Sequence, residues 1–394
     1  MTNTSCQTKK VKQKTIEEVL QEINRRHVRI KKKEKKNNNL VLYTVLEELL
    51  RRMRICDNLF DSMKPNLECL GSYFDGLRVG QPTEYDLNVV LTIPVNYKKI
   101  ILKSINNALC RHCSSIIMPV EFHRLSKIPS TAMKGFKKTE CWCDHSFRLL
   151  VTYFRSYMQS VMDSVLSQLP TQNDGKYILE VKGKIYKLLH KMSGPAYTIT
   201  IHMDDNYVID VDLVPTLQFE LPKTPSETKI DFEKVAKTNV NYYFAVPKPS
   251  NDNIGWRLAF PYQERFYMDN KNNLKSTLKL LKLFRDVQGF NNLASYFIKT
   301  LFLWEIEAND EDFWKINSLV FLVLYMLDKL KDCLTNAKIR NFWCPEHNLL
   351  EKIKYNTCQN WANRIKNVIQ DINRNKFKNP NIVIKYFTLK ETRI

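Results

Sequence analysis

One stretch limits the possible folds of this chain more than any other: residues 70–93, LGSYFDGLRVGQPTEYDLNVVLTI. A Gly-Ser pair and a polar turn precede a strand-like run that carries Glu84 and Asp86. Side chains alternate along a β-strand, so these acids project from the same face. The apolar residues that follow, such as Leu87 and Val89, indicate a largely buried strand with the acids at its mouth. Neighbouring carboxylates repel unless a cation lies between them, so a divalent metal is a candidate, although an isolated pair is more often two unrelated surface acids.

A second acidic strand lies far away in the sequence. Residues 196–214 predict a β-hairpin, because AYTITIHM and YVIDVDLV both alternate and the Asp-Asp-Asn sequence at 204–206 is typical of a turn. In the returning strand Asp210 and Asp212 share one face. If the two acidic strands are neighbours in one sheet, their carboxylates come together.

The charge of the chain indicates a polyanionic partner. Its 394 residues include 61 Lys and Arg against 41 Asp and Glu, a net charge of +20, which suits nucleic acid, nucleotides or an acidic membrane surface. The polar N-terminus lacks the apolar core of a signal peptide, and the most apolar run, residues 319–327, is too short to span a bilayer. Ten cysteines without a secretory signal are expected to be reduced thiols. We therefore expect a soluble, cytoplasmic protein.

Two cysteine pairs invite a zinc interpretation. Cys110 and Cys113 flank an Arg-His dipeptide, and Cys141 and Cys143 precede His145. The second pair has a single intervening residue where zinc sites usually have about two to four, and aromatic residues surround it. Buried thiols are the simpler expectation, so we predict no structural zinc.

The N-terminal region predicts two helices. Thr15 and Glu18 form a capping box for a helix that reaches about Ile30, the run KKKEKKNNN at 31–39 interrupts it, and a stronger helix covers 40–55. This region is basic, with fifteen Lys and Arg against six Asp and Glu before residue 57. A solvated tail and a surface for nucleic-acid phosphates explain that charge equally well. The second interpretation would use Lys31, Lys32, Lys33, Arg51, Arg52 and Arg54.

Further helices are predicted in the middle and at the end of the chain. Residues 97–109 and 146–169 are helix-like. From residue 274 onward, apolar residues repeat at helical spacing in segments separated by short polar breaks, which predicts a helical bundle. A last helix near 361–372 leads to a tail, NIVIKYFTL, expected to be an edge strand or an extended segment.

The spacing of the acids from the Gly-Ser pair resembles the catalytic centre of the nucleotidyltransferase superfamily. That pattern is a hydrophobic residue, Gly-Ser, a gap of about a dozen residues, then acid–hydrophobic–acid–hydrophobic. Here it is LGS at 70–72, eleven further residues, and EYDL at 84–87. The resemblance implies that these two acids and a third one bind two Mg²⁺ or Mn²⁺ ions, while Gly71 and Ser72 contact substrate phosphates.

A closer resemblance is to cyclic GMP–AMP synthase and the cyclic GMP–AMP synthase-like receptors of animals. VDLVPTLQF is similar to the family's strand with the third acid, which selects Asp212 over Asp210, and GWRLAF, LKLLK and LASYFIKT match later segments in the same order. The resemblance covers roughly residues 40–350. It implies that the catalytic and metal-binding residues are Glu84, Asp86 and Asp212. The nucleotide-binding residues that it implies are Gly71, Ser72, Arg257, Glu264, Lys279, Lys282, Ser295, Tyr296 and Lys299.

Several of these residues acquire specific roles through the resemblance. Arg257 would contact the acceptor guanine, Glu264 would lie near a ribose, Lys282 would reach the donor phosphates, and Tyr296 would stack on a base. Taken singly, Arg257 and Lys299 could equally be surface charges, Tyr296 a core residue, and Ser295 a helix cap. The implied fold is α+β and bilobal, with a mixed sheet, a long N-terminal helix and a C-terminal helical bundle. We expect domains at 1–39, 40–265 and 266–394.

Departures from the vertebrate pattern shape the expected function. The vertebrate enzyme has a zinc insertion that supports binding of double-stranded DNA, whereas Met268 here leads to Leu274 through DNKNN. Insect relatives without this insertion respond to double-stranded RNA. The resemblance therefore implies an innate antiviral sensor that, once bound to double-stranded RNA, condenses ATP and GTP into cyclic GMP–AMP for a downstream receptor; RNA could also assemble it into a dimer. Leu70, Ala259 and Pro261 replace polar residues, so base choice and linkage do not transfer.

Two other functions use the same residues. A catalytically silent member of the fold would act as a scaffold or binding protein, but such proteins usually lose an acid or the Gly-Ser pair, and both are present here. An RNA-tailing nucleotidyltransferase would share the metal triad and extend a primer instead of forming a cyclic product.

Overall fold

The computed structural model describes residues 14–81, 83–105, 113–128, 136–193, 196–202, 207–249 and 252–388. These residues form two compact units. The sheet unit comprises the described parts of residues 30–269 and 340–349, and the helical unit those of residues 1–29, 270–339 and 350–394. The first helix thus belongs with helices from the end of the chain, a long-range association that no local pattern encodes. The contiguous domain boundaries expected after residues 39 and 265 stay a prediction.

The helices of the described residues are, in chain order, α1 (Ile16–Ile23), α2 (Lys32–Cys56), α3 (Asn58–Ser62), α4 (Gly71–Phe74), α5 (Val151–Leu166), α6 (Phe232–Ala236), α7 (Pro261–Met268), α8 (Leu274–Val287), α9 (Ser295–Ala308), α10 (Phe313–Ile316), α11 (Leu319–Thr335), α12 (Tyr355–Asn375) and α13 (Ile384–Phe387). A π-helical turn, Asn24–Val28, follows α1. Shorter 3₁₀ segments cover Tyr97–Lys99, Val120–Lys127, Phe136–Cys141 and Pro380–Val383.

The described strands form one mixed sheet. They are β1 (Asn66–Leu70), β2 (Glu84–Leu91), β3 (Ile101–Ser104), β4 (Cys113–Ile117), β5 (Tyr177–Val181), β6 (Lys184–Ser193), β7 (Ala196–His202), β8 (Val208–Glu220), β9 (Tyr242–Pro247) and β10 (Trp256–Ala259). Their order is β3-β4-β10-β9-β8-β7-β6-β5, with β2 also paired to β8 and β1 to β2. The pairing is antiparallel except between β2 and β8.

The core of the sheet unit explains the alternation seen in the sequence. Tyr85 and Leu87 on β2, and Val211 and Leu213 on β8, are buried, while the acids between them lie on the opposite face. The helices α2 and α5 pack against each other in this unit. The expected α+β class, with a mixed sheet, a long helix near the N-terminus and a helical C-terminal unit, is confirmed.

The start of the long helix α2 differs from the prediction. The basic run at 31–39 was expected to separate two helices. Instead it forms the first turns of the second one, because α2 begins at Lys32. Lys and Glu are good helix formers, and two of the Asn residues that follow have tertiary contacts. The Asn39 side chain accepts from the Tyr73 hydroxyl at 2.6 Å. Asn38 is buried and donates to the hydroxyls of Tyr85 at 3.0 Å and Tyr207 at 2.8 Å. A buried, fully engaged asparagine therefore overrides the weak helix propensity of the run.

The capping box of α1 is confirmed. The Thr15 side chain accepts from the Glu18 backbone N–H, and the Glu18 carboxylate accepts from the Thr15 backbone N–H. The predicted apolar stripe, which includes Val19 and Ile23, is buried. The regular α-helix ends at Ile23, and the π-helical turn carries the chain on to Val28.

The middle of the chain contains one wrong prediction and one correct one. Residues 97–109 are not a helix where they are described: a 3₁₀ turn leads into β3, whose backbone pairs with β4. Residues 106–112 lie outside the described part of the chain. The helix predicted over 146–169 is confirmed as α5.

In the helical unit the predicted helices are found with different ends. Helix α12 is longer than predicted, and the third apolar segment divides into α10 and α11, where the Ser318 side chain caps α11 by accepting from the Phe321 backbone N–H at 3.3 Å. The tail is neither strand nor extended segment. It forms a 3₁₀ turn and α13, and the Tyr386 hydroxyl donates to Asp371 on α12. Within the described ranges, no helix is long and apolar enough to cross a membrane.

Candidate active site

The four acids of the two acidic strands lie on adjacent strands of the sheet. β2 and β8 run parallel, and their register puts Glu84 level with Asp210 and Asp86 level with Asp212. All four alternate with buried residues, so their side chains project from one face. Neighbouring strands lie about 4.8 Å apart, which brings each level pair of carboxylates side by side. The two acidic strands are thus neighbours in one sheet, the condition under which we expected their carboxylates to come together.

Gly71 lies directly against one of these acids. It follows β1, whose last residue, Leu70, is paired with Asp86. Gly71 has φ of +76°, a left-handed conformation that L-residues with a side chain rarely adopt. A Cβ atom there would lie only 2.1 Å from Asp86 Oδ2. Backbone conformation and close approach both require glycine, and Ser72 follows it in α4.

Asp86 is electrostatically strained. The residue is exposed, yet protein atoms crowd its carboxyl and remove part of its hydration. This desolvation raises the pKa of Asp86, and the negative charges of Asp212 and Glu84 raise it further, while Arg78 opposes them. A cation bound beside Asp86 would relieve the repulsion, and carboxylate oxygens are ligands that Mg²⁺ prefers.

Two threonines on β7 hold the acids of β8. Thr198 Oγ1 donates to Asp212 Oδ1 at 2.5 Å, and Thr200 Oγ1 donates to Asp210 Oδ1 at 2.5 Å. Lys191 Nζ also lies 3.9 Å from Asp210 Oδ2. Asp212 is thus oriented by a neutral hydroxyl, whereas Asp210 has a cation nearby. This difference favours Asp212 over Asp210 as a ligand for a further cation.

Glu84 is turned to a different partner. Arg78 Nη1 donates to Glu84 Oε2 at 2.7 Å. Across the described ranges, no three His, Cys, Asp or Glu side chains are grouped so that they could hold a metal ion together. Of the three predicted metal ligands, Asp86 and Asp212 lie side by side on adjacent strands, whereas Glu84 is bonded to Arg78.

A second arginine, Arg265, bonds to residues on both sides of the Gly-Ser pair. Arg265 on α7 donates through Nε to Asp75 Oδ1 at 2.6 Å and through Nη2 to the Cys69 carbonyl at 2.6 Å. Residues 69 and 75 flank α4, so one guanidinium holds both ends of this short segment. The Asp75 side chain is only 4% exposed, and the Tyr262 ring lies 4.9 Å from the Arg265 guanidinium carbon.

Arg78, Thr198 and Arg265 were not predicted from the sequence. Thr198 had a usable signal, because the hairpin register places it opposite Asp212. Arg265 had none, since it lies 190 residues from Asp75 and only the folded chain brings them together.

Besides Gly71 and Ser72, two predicted nucleotide-binding residues belong to the sheet unit. Arg257 is exposed on β10. Glu264 on α7 is buried, and its Oε1 accepts from Trp343 Nε1 at 3.0 Å. Arg257 is therefore available to a ligand, whereas Glu264 also has a structural contact; both assignments stay predictions.

The other predicted nucleotide-binding residues belong to the helical unit. Burial lowers the pKa of Lys279 on α8, and the charges of Arg29 and Lys275 lower it further. Ser295 begins α9 but does not cap it, because its hydroxyl accepts from Arg285 Nη1 at 2.6 Å. Tyr296 is 36% exposed and so is not a core residue. Lys282 is buried and Lys299 is half-buried. Their roles towards a nucleotide stay predictions.

The six candidate nucleic-acid contacts lie at the two ends of α2. Lys31, Lys32 and Lys33 are exposed at its start. At its end the arginines already have partners within the chain: Arg51 and Arg52 both bond to Glu48, and Arg54 donates to the Pro65 carbonyl.

The cysteines differ in part from the expectation. Cys113 is disulfide-bonded, so the expectation of reduced thiols is wrong there, and Cys110 lies outside the described residues. Cys141 is a thiol but exposed rather than buried. Burial raises the pKa of the Cys143 thiol to about 12.

Comparison with known proteins identifies the family. The model of the Mab-21 protein nucleotidyltransferase domain matches residues 73–270, and that of the Mab-21 protein HhH/H2TH-like domain matches residues 273–367. The chain belongs to the Mab-21 nucleotidyltransferase family. Its enzymatic class is therefore nucleotidyl transfer, and its relatives confirm the resemblance to the cyclic GMP–AMP synthase-like receptors.

Several of these relatives match most of the chain. A cyclic GMP-AMP synthase-like receptor of Aethina tumida is 31% identical over 386 residues, which are 95% of this chain and 92% of the relative. One of Trichogramma pretiosum is 31% identical over 358 residues, 89% of this chain and 72% of the relative. Cyclic GMP-AMP synthase-like receptor 1 of Drosophila melanogaster is 30% identical over 296 residues, 72% of this chain and 73% of the relative.

Proposed function

We propose that this chain condenses ATP and GTP into a cyclic dinucleotide, cyclic GMP-AMP, once a nucleic acid has bound to it. The observation that carries the proposal is the pairing of Asp86 and Asp212 on adjacent parallel strands, next to a glycine that has no Cβ to overlap the Asp86 carboxylate. The relatives are cyclic GMP-AMP synthase-like receptors, and this supports cyclic GMP-AMP as the product.

Glu84, Asp86 and Asp212 are the residues that would hold two Mg²⁺ or Mn²⁺ ions. The donor set fits these metals, because it consists of carboxylate oxygens on one face of the sheet, and desolvation followed by the charges of Asp212 and Glu84 raises the pKa of Asp86. Bound metal would activate the attacking hydroxyl and stabilise the leaving pyrophosphate.

The chain's own groups position the substrates around these acids. Gly71 lets the backbone approach a phosphate closely, and the Ser72 hydroxyl donates to a phosphate oxygen. Thr198 fixes the orientation of the Asp212 carboxylate. Arg265 holds both ends of the segment that carries the Gly-Ser pair. Reactive groups kept in place in this way need little rearrangement on the way to the transition state.

Nucleotide recognition is assigned to both units. In the sheet unit, Arg257 is exposed for contact with a base and Glu264 would lie near a ribose. In the helical unit the exposed ring of Tyr296 would stack on a base. The remaining assigned residues are Lys279, Lys282, Ser295 and Lys299.

Double-stranded RNA is the proposed activator, and the protein would act inside the cell in antiviral innate immunity. A-form RNA is read through its shape and phosphates, which suits a chain with a net charge of +20. Lys31, Lys32 and Lys33 are exposed for this contact. The three arginines at the end of α2 already bond within the chain, so only their remaining N–H donors could contact phosphates; they are Arg51, Arg52 and Arg54. A downstream cyclic-dinucleotide receptor would read the product, and RNA binding would bring two copies together.

The test is a reaction of purified protein with ATP, GTP and Mg²⁺ or Mn²⁺, with and without long double-stranded RNA or DNA. Mass spectrometry and nuclease digestion of the product identify a cyclic dinucleotide and its linkage. Asp212→Asn should abolish the product while RNA binding in a gel-shift assay is retained. Asp210→Asn, the matched change on the same face of β8, should retain activity.

Other outcomes would favour other functions. Extension of a labelled RNA primer on a denaturing gel would indicate an RNA-tailing enzyme. RNA binding without any product under any of these conditions would indicate a silent scaffold and overturn the proposal.

A further inference from the structure

Arg78 lies between α4 and β2 and holds one of the proposed metal ligands. Its Nη1 donates to Glu84 Oε2 at 2.7 Å; the Arg78 side chain is 22% exposed and that of Glu84 is 68% exposed. Arg78 Nε is buried without a hydrogen-bond acceptor in the described part of the chain. The guanidinium is thus enclosed by protein, whereas the Glu84 side chain has room to change its rotamer.

The ion pair conflicts with the geometry that a metal needs. Asp86 and Asp212 are level on β2 and β8, and Glu84 is two residues from Asp86 on the same face. Yet no third acid joins the other two among the described residues, and Glu84 is the one engaged by a cation. A carboxylate oxygen that accepts from a guanidinium has less electron density and less freedom to offer a metal.

We propose that Arg78 and a divalent metal compete for the Glu84 carboxylate, so that Arg78 is a positioning residue that sets the metal affinity of the resting protein. This inference rests on the proposed role of Glu84 as a metal ligand. A metal that binds Asp86 and Asp212 gains its third carboxylate only when Glu84 leaves Arg78. The guanidinium released in this way has donors for a new acceptor, such as a phosphate oxygen of the substrate.

The size of the effect follows from the exposure of the pair. Ion pairs with one well-exposed partner stabilise by at most about 1 kcal/mol, and a tenfold change in a binding constant corresponds to about 1.4 kcal/mol. Removing the competitor should therefore raise the affinity for metal about two- to fivefold. Arg78→Gln removes the charge and keeps a polar, shorter side chain, so it is the informative change.

The experiment measures Mn²⁺ binding to the full chain without nucleotide, from the loss of the electron paramagnetic resonance signal of unbound Mn²⁺. The proteins are wild type, Arg78→Gln, Glu84→Gln and the double variant. Arg148→Gln is the matched control, because it breaks another arginine–carboxylate pair, with Asp144 at 2.7 Å, away from these acids. Circular dichroism verifies that each variant is folded.

Competition predicts that Arg78→Gln tightens Mn²⁺ binding about two- to fivefold, that Arg148→Gln leaves it unchanged, and that the gain disappears when Glu84→Gln is also present. A gain that persists in the double variant would mean that Arg78 only repels the metal through space, which overturns the inference. Unchanged or weaker binding in Arg78→Gln also overturns it. If Glu84→Gln does not weaken Mn²⁺ binding, or wild type binds none, the proposed function of Glu84 fails and the inference fails with it.

Discussion

Replacing Asp86 by asparagine should stabilise the metal-free fold and abolish catalysis. The carboxylates of Asp86 and Asp212 belong to level residues on adjacent strands, and strands are about 5 Å apart. Two unit charges at that distance in a water-like dielectric repel by about 0.8 kcal/mol. Glu84 adds to the repulsion and Arg78 offsets part of it. Because Asp86 is exposed and screened by solvent, we expect Asp86→Asn to gain about 0.5–1 kcal/mol in free energy of unfolding.

The dependence of this gain on pH has a definite sign. The pKa of Asp86 is raised in the folded chain above its ordinary value of 3.8, chiefly by desolvation and then by the neighbouring acids. Ionisation of Asp86 therefore costs stability, and that cost is absent below the ordinary value and develops as pH rises through the raised one. The advantage of Asp86→Asn should accordingly be small in acid and complete at neutral pH.

Thermal unfolding with and without Mn²⁺ measures both effects. At neutral pH without metal, Asp86→Asn should raise the unfolding temperature by about 1 °C, because the unfolding entropy of a chain of this length is roughly 0.8 kcal/mol per kelvin. Added Mn²⁺ should raise the unfolding temperature of wild type, because a ligand that binds only the folded state stabilises that state. The same addition should raise the unfolding temperature of Asp86→Asn much less. The reasoning is refuted if Asp86→Asn unfolds at a lower temperature than wild type without metal, or if Mn²⁺ stabilises both equally.

Glu48→Gln is the control with the opposite sign. A hydrogen bond from Arg51, with further help from Arg52, lowers the pKa of Glu48 to about 2. Its ionised form therefore stabilises the fold above its ordinary pKa, and this contribution is lost as pH falls towards 2. Neutralising Glu48 should lower the unfolding temperature at neutral pH, and the loss should fade in acid.

The Thr198 hydroxyl that donates to Asp212 gives a second prediction: Thr198→Val should lower kcat about tenfold to a hundredfold. The matched Thr200→Val, which removes the hydroxyl on Asp210, should keep kcat near wild type, and equal losses would contradict the choice of Asp212. Gly71→Ala should lower the free energy of unfolding by at least about 1–2 kcal/mol, because alanine is strained in the left-handed conformation of residue 71, and it should remove activity. Denaturant unfolding and an activity assay that both match wild type would disprove this. Arg265→Met should cost about 1.5–3 kcal/mol in urea unfolding, because it removes the charged hydrogen bond from Arg265 to the buried Asp75. Adding Asp75→Asn should recover part of the loss, whereas purely additive losses would argue against the pair.

The part of the site that the sequence predicted is the part encoded by alternation. Asp86 and Asp212 each alternate with buried apolar residues, and alternation fixes the face on which a side chain lies. The sequence allowed the two acidic strands to be neighbours without requiring it, and it gave neither their direction nor their register, since residues more than a hundred positions apart carry no local signal for pairing. The structure supplies that register.

What the sequence could not predict depends on contacts across the fold. The run at 31–39 looks like a break, yet Asn38 bonds to the hydroxyls of Tyr85 and Tyr207, far away in sequence, and α2 begins at Lys32 and includes the rest of the run. Ser295 looks like a helix cap, but Arg285 engages its hydroxyl. In both cases a polar side chain with weak intrinsic preference takes its conformation from a tertiary partner.

The two arginine pairs around the Gly-Ser segment differ in a way that predicts where it can rearrange. Arg265 holds Asp75, which is 4% exposed, whereas Arg78 holds Glu84, which is 68% exposed. Breaking a buried pair leaves an uncompensated charge away from water, but an exposed carboxylate exchanges its partner at little cost. The segment from Cys69 to Asp75 should therefore stay fixed while Glu84 changes partner. Activation that involves this region would then act on the Glu84 end, and hydrogen exchange should report faster opening there than around Asp75.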